Sequence, residues 1–100
     1  MAIEIYWTRQ ADRKFSKIID YLLDEWNPGV TESFVKKVYD TLDTLAEFPD
    51  IGTIEHKEKG IRGFVIIKQV CIFYTIRDNR IIILNFFDNR ALADRPARRS

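Results

Sequence analysis

Seven cations in the second half of the chain, Lys57, Lys59, Arg62, Lys68, Arg77, Arg80 and Arg90, are interleaved with Phe64, Tyr74 and Phe87. Guanidinium forks grip phosphate oxygens and aromatic faces accept bases. Such a set could hold a nucleic-acid backbone, with Lys57, Lys59, Lys68, Tyr74, Arg77 and Phe87 as its contacts. The same cations could instead guard the edges of apolar strands against aggregation. On residue types alone the two readings stand level.

Other chemistry finds little material. The one histidine, His56, sits in Glu55-His56-Lys57-Glu58-Lys59, a charged run that reads as an exposed loop. Its imidazole titrates near pH ~6.5 when unperturbed, which suits proton transfer, but nothing around it in the sequence completes a site. The one cysteine, Cys71, lies in an apolar run and reads as an inert buried thiol, because a reactive thiol needs an electropositive, accessible setting. No serine stands in a nucleophile-elbow context. Gly29, Gly52, Gly60 and Gly63 form neither a dinucleotide fingerprint nor a phosphate-cradling loop, so no nucleotide cofactor is expected. With one histidine and one cysteine, a zinc site would lack ligands, and no acidic run has calcium-loop spacing; no metal is expected either.

At 100 residues, 46% hydrophobic and 31% charged, the chain has the composition of one soluble globular domain. A lone cysteine permits no internal disulfide, and the first residues show no secretion signal, so a reducing, cytoplasmic setting without membrane association is expected. The formal net charge is +1, but residues 1–50 hold six Lys/Arg against ten Asp/Glu and residues 51–100 hold ten against five. That polarity suggests an anionic partner for the second half, or a merely solvated arginine tail.

The elements follow from spacing. Residues 3–7 alternate and favour a strand, ending where Thr8 can cap a helix. Ala11, Phe15, Ile18, Ile19, Leu22 and Trp26 recur at helical intervals, and Asn27-Pro28-Gly29 ends that helix and starts the next. The second helix carries Phe34, Val38, Leu42, Leu45 and Phe48 and stops before Pro49. Residues 49–60 lack periodicity and read as a loop. Then Phe64–Ile67, Val70–Ile76 and Ile81–Phe87 read as three strands of a meander, joined by Lys68-Gln69 and by Asp78-Asn79-Arg80. The expected fold class is α+β, a helix hairpin packed on a twisted antiparallel sheet in the order β-α-α-β-β-β. It forms a single domain over residues 1–90, and a basic tail over 91–100 orders only with a partner. Both faces of the strands are apolar, and one hairpin can cover only one face. The other implies a macromolecular partner.

Taken in order, the pieces resemble the RelE/ParE superfamily of toxins from bacterial type II toxin-antitoxin systems. They are Trp7, Ala11 and Trp26, then Leu45-Ala46-Glu47-Phe48-Pro49-Asp50-Ile51-Gly52, Gly60-Ile61-Arg62-Gly63-Phe64, Ile72-Phe73-Tyr74, and Ile82-Ile83-Leu84-Asn85-Phe86-Phe87-Asp88-Asn89-Arg90. The resemblance implies the same fold and a cognate antitoxin that folds around the toxin.

It implies two possible targets. RelE-type members cleave mRNA on the ribosome without metal, using basic residues and often a late tyrosine or histidine; Arg62 and Arg90 match cationic positions of that pattern and would be the catalytic pair. Here, however, Cys71 occupies the mid-strand position that often bears arginine, and neither tyrosine nor histidine follows Arg90. ParE-type members lack that constellation and inhibit DNA gyrase by binding. The departures favour gyrase over the ribosome, and a non-toxic relative that only binds its antitoxin and regulates their transcription stays open as a third class.

Overall fold

The computed structural model describes residues 3–89; Arg90 and the tail over 91–100 lie outside the described residues. The chain runs β1 (Glu4–Trp7), α1 (Arg9–Glu25), α2 (Pro28–Glu47), a 3-10 turn (Pro49–Ile51), β2 (Thr53–His56), β3 (Ile61–Ile67), β4 (Val70–Arg77) and β5 (Arg80–Asp88). The fold class is the α+β expected, with two differences in the sheet. It has five strands in the order β1-β5-β4-β3-β2, and β1 pairs parallel to β5, so it is mixed rather than wholly antiparallel. The extra strand, β2, forms within residues 49–60, which lack periodicity because it is only four residues long and bulged.

Local chemistry sets the helix boundaries. The Thr8 hydroxyl accepts from the Ala11 N–H at 3.2 Å and donates to the Ile83 carbonyl at 2.8 Å, so one residue both caps α1 and ties it to β5. Asn27 caps α2 by accepting from the Val30 N–H at 2.9 Å, with Pro28 in the first turn. Two residues in the left-handed region, Asp78 (φ 53°) and Asn79 (φ 60°), turn β4 into β5 as a primed hairpin requires.

The helix hairpin covers one side of the sheet. Ala11, Ile18, Leu22, Phe34, Val38, Leu42 and Leu45 of the helices meet Ile66, Val70, Ile72, Tyr74, Ile81, Ile83 and Phe86 of the strands. A fully buried aliphatic or aromatic side chain of this kind stabilises the fold by about 1.5–3 kcal/mol. Trp7, Phe15 and Phe86 form an aromatic cluster at one end, with ring centroids 5.3 to 5.6 Å apart. Trp26, which continues the apolar spacing of α1, falls past its last turn and is 59% exposed. Among the described residues no helix is long and apolar enough to cross a membrane.

Candidate functional site

Among the described residues no helix element covers the opposite side of the sheet, and there lies a groove of about 570 Å³. Ile51, Thr53 and Glu55 form one wall; Gly63, Val65, Cys71 and Phe73 lie along β3 and β4; Phe87 and Asn89 close the far side. Alternation on the strands explains Gly63, Val65, Cys71 and Phe73, while Phe64, which also borders the groove, belongs to the opposite row. The cross-strand pairs Gly63–Phe73 and Val65–Cys71 share one face, while Arg62–Tyr74 and Phe64–Ile72 share the other. Among the described residues no lysine or arginine lines the groove.

Glu55 faces the groove with Thr53, two residues before it on the same strand, and it sits at a bulge. β2 pairs Ile54 with Arg62 and His56 with Ile61, which leaves Glu55 as the extra residue between them. Its side chain lies across β3 over Gly63, where an added Cβ would come within 3.0 Å of its Cγ, 3.1 Å of its Oε2 and 3.1 Å of the Phe73 ring. Gly63 therefore makes the depression that the carboxylate and the ring occupy. Among the described residues Glu55 forms no salt bridge. The Cys71 thiol is pushed above its ordinary pKa, first by burial and second by the negative charge of Glu55, so it stays protonated. A protonated thiol is a poor nucleophile, but Cys71 is only partly buried and lines the groove, a correction to its reading as a buried thiol.

Two residues read as contacts or catalysts sit on the helix side instead. Tyr74 is fully buried. Its hydroxyl donates to the Pro49 carbonyl at 2.6 Å and accepts from the Gly52 N–H at 3.0 Å, so the ring offers no face for a base, a correction to its reading as a contact. Burial raises its pKa most, opposed by the Gly52 hydrogen bond and the Arg62 charge. Arg62 donates through Nη1 to the Asp50 and Gly52 carbonyls at 3.0 and 2.9 Å. Its contact with the Asp50 carboxylate, at 3.7 Å and with that side chain 85% exposed, contributes little beside them. Together Tyr74 and Arg62 clamp the Pro49–Gly52 turn, where a Cβ on Gly52 would come within 2.6 Å of the Tyr74 hydroxyl. The role of Arg62 in this geometry is to position main chain. Arg90, its expected companion, lies outside the described residues.

The remaining cations are divided by the topology. Lys57 and Lys59 on the β2–β3 connection and Arg77 and Arg80 at the β4–β5 hairpin gather at one end of the sheet, because β3 begins where β4 ends. Glu58 and Asp78 share those connections, and Glu4 pairs with Arg80 across β1 and β5, which balances much of the charge. Lys68 is at the opposite end, on the β3–β4 turn. Phe87 alone of the expected contacts lines the groove. His56 Nδ1 accepts from the Lys59 N–H at 3.2 Å and so shapes its own turn. Among the described residues no three His, Cys, Asp or Glu side chains converge as metal ligands would. Glu55, Gly63 and Phe73 carry the groove, and the sequence gives Glu55 no signal beyond its place in a charged run.

Residues 5–92 match the family model described as ParE toxin of type II toxin-antitoxin system, parDE. Among solved structures, a chain of the chromosomal ParDE toxin-antitoxin system from P. aeruginosa superposes with a TM-score of 0.73 at 17% identity, over 87% of this chain and 96% of that one. A chain of the RelBE2 toxin-antitoxin complex from Mycobacterium tuberculosis gives 0.60 at 17% identity, over 88% and 99%. The YoeB-YefM complex from Staphylococcus aureus gives 0.54 at 18%, over 87% and 97%. No curated protein matches the sequence closely.

Proposed function

Because the chain belongs to the ParE toxin family of type II toxin-antitoxin systems, we propose that it arrests growth by binding DNA gyrase and is neutralised by a cognate antitoxin that covers its open face. The toxin role comes with the family; the target and the docking face are our reading. The observation that carries it is the groove, whose described lining offers a protonated thiol, one carboxylate and no cation. Cleaving RNA by attack of a 2′-hydroxyl needs a base for its proton and positive charge on the phosphate as negative charge develops. Glu55 could take a proton, but with no cation beside it among the described residues the same carboxylate repels the phosphate. Arg62 is turned to the other side and engaged by two carbonyls. A surface of this kind suits binding better than chemistry.

In this reading Phe87 belongs to the antitoxin-covered groove, and Lys57, Lys59 and Arg77 at one end of the sheet and Lys68 at the other are left for the target complex. That the structurally similar chains from P. aeruginosa and M. tuberculosis come from toxin-antitoxin assemblies supports such a partner. The test pairs two assays after short induction. Gyrase supercoiling of relaxed plasmid is expected to fail in the presence of the purified chain, with cleaved DNA accumulating. Primer extension on cellular mRNA is expected to find intact messages. Messages cut within translated frames, beside undisturbed supercoiling, would reverse the assignment to ribosome-dependent cleavage; no effect in either assay would leave a chain that only binds its antitoxin.

A further inference from the structure

We propose that the open face selects its protein partner by one arginine or lysine side chain, flanked by apolar residues and held between the Glu55 carboxylate and the Phe73 ring. The inference rests on the reading that this face is a docking surface, and it makes Glu55 the specificity residue of that surface. Three observations carry it.

The first is placement. Glu55 shares the groove face with Thr53, and the missing side chain at Gly63 gives its carboxylate somewhere to lie. The second is charge. Among the described residues nothing cationic pairs with Glu55, while its neighbours Ile51, Val65, Cys71 and Phe73 are apolar or uncharged. A partner that covered this groove with apolar side chains alone would desolvate an unpaired carboxylate, which is costly; a partner that brought a cation would recover the loss. The third is the aromatic wall, since a guanidinium or ammonium beside Glu55 can also lie against the ring of Phe73. The carboxylate that attracts such a side chain repels phosphate, so a nucleic acid is the wrong occupant here.

A separate protein chain fits better than the other occupants because apolar exposure continues past the groove. Val65 is 58% exposed and Ile51 48%, and beyond the β2 edge Ile54 and Phe48 follow at 56% and 58%. A surface that rounds a sheet edge suits a segment that wraps.

The probe is a fluorescein-labelled peptide, Ser-Leu-Ala-Arg-Leu-Ala-Ser, compared with its citrulline analogue, which keeps the shape and loses the charge. Anisotropy with the full chain is expected to show the arginine peptide binding about tenfold tighter than the citrulline peptide. In Glu55→Gln that preference should shrink to about twofold or less while citrulline-peptide affinity holds, and added salt should narrow it in the wild type. Equal affinities in the wild type, or a preference that survives Glu55→Gln, would refute the assignment. Tighter arginine-peptide binding after Arg90, Arg95, Arg98 and Arg99 are all changed to Gln would make the chain's own tail the occupant instead. Probe binding that weakens as protein concentration rises would assign the face to a second copy. Selective peptide binding by a chain that leaves gyrase untouched would uphold Glu55 and remove only the gyrase reading.

Discussion

The two sides of the sheet carry similar polar groups among apolar neighbours and put them to opposite use. On the helix side, the Tyr74 hydroxyl and the Arg62 guanidinium meet the Pro49, Asp50 and Gly52 main chain with geometry that consumes what they offer. On the open side, the Glu55 carboxylate and the Cys71 thiol sit among Val65, Phe73 and Phe87 without such partners among the described residues. A buried polar group with its hydrogen bonds made is scaffold; one left without them in a groove is free to meet another molecule. The contrast decides why Arg62 and Tyr74, the more suggestive residue types, belong to the scaffold, and why Glu55 belongs to the site.

The comparison is broken most forcefully from the helix side. Phe86 is fully buried against Trp7 and Phe15. Phe86→Ala should destabilise the fold by about 3–5 kcal/mol, read as a lower urea midpoint at unchanged slope. A loss below about 1 kcal/mol would mean that this side is not the core.

Next in size is the clamp. Tyr74→Phe keeps the ring and leaves the Gly52 N–H and the Pro49 carbonyl without their partner, at an expected cost of about 1–3 kcal/mol. Arg62→Ala removes the other half of the same clamp. The double variant should cost less than the two singles added together, because either loss alone already frees the turn. Strict additivity would show that the two side chains hold the turn independently.

The sides also differ in how they meet alkali. Both Cys71 and Tyr74 have raised pKa values, each chiefly through burial. An acid whose pKa is raised by folding stabilises the native state below its unfolded pKa and loses that contribution as pH climbs through the folded one. Stability should therefore fall as pH passes the ordinary thiol value, about 8.5, and again past the ordinary phenol value, about 10. Cys71→Ala should flatten the first decline and Tyr74→Phe the second, in urea melts across that range. A decline that neither substitution alters would assign the alkaline loss to other groups.

How far this contrast was legible in the sequence follows from what each residue's neighbours reveal. Thr8 and Asn27-Pro28 announce helix starts by themselves, because capping is local chemistry, and Asp78-Asn79 announces a tight turn for the same reason. Alternation along β4 separates Ile72 and Tyr74 from Cys71 and Phe73, but both rows are apolar, so it cannot tell which row receives the helices. Tyr74 was thereby open to misreading as an exposed ring. Arg62 misleads similarly, since its partners are carbonyls ten and twelve residues earlier in the chain and leave no mark on the residues beside it. The parallel pairing of β1 with β5 joins segments more than seventy residues apart. Glu55 shares the groove face with Thr53, but their strand is only four residues long, and a charged run such as Glu55-His56-Lys57-Glu58-Lys59 does not show which of its members will be turned inward.

The smallest expected change in stability sharpens the comparison most. Phe73 lies on the open side, its ring against Gly63, and is only partly buried. Phe73→Ala therefore removes an aromatic ring, as Phe86→Ala does, from a place where water already reaches one face. It should cost about 1 kcal/mol or less, since little apolar surface is returned to solvent and no closed cavity is left. The same substitution should weaken binding of both the arginine and the citrulline peptides, because it takes away a wall of the groove that either would use. It should also reduce the preference between them, because the ring that flanks the cation is gone. Urea unfolding and peptide anisotropy on one preparation measure both quantities. A stability loss approaching that of Phe86→Ala would turn the open side into a second core, and the unpaired state of Glu55 would then require an explanation other than recognition.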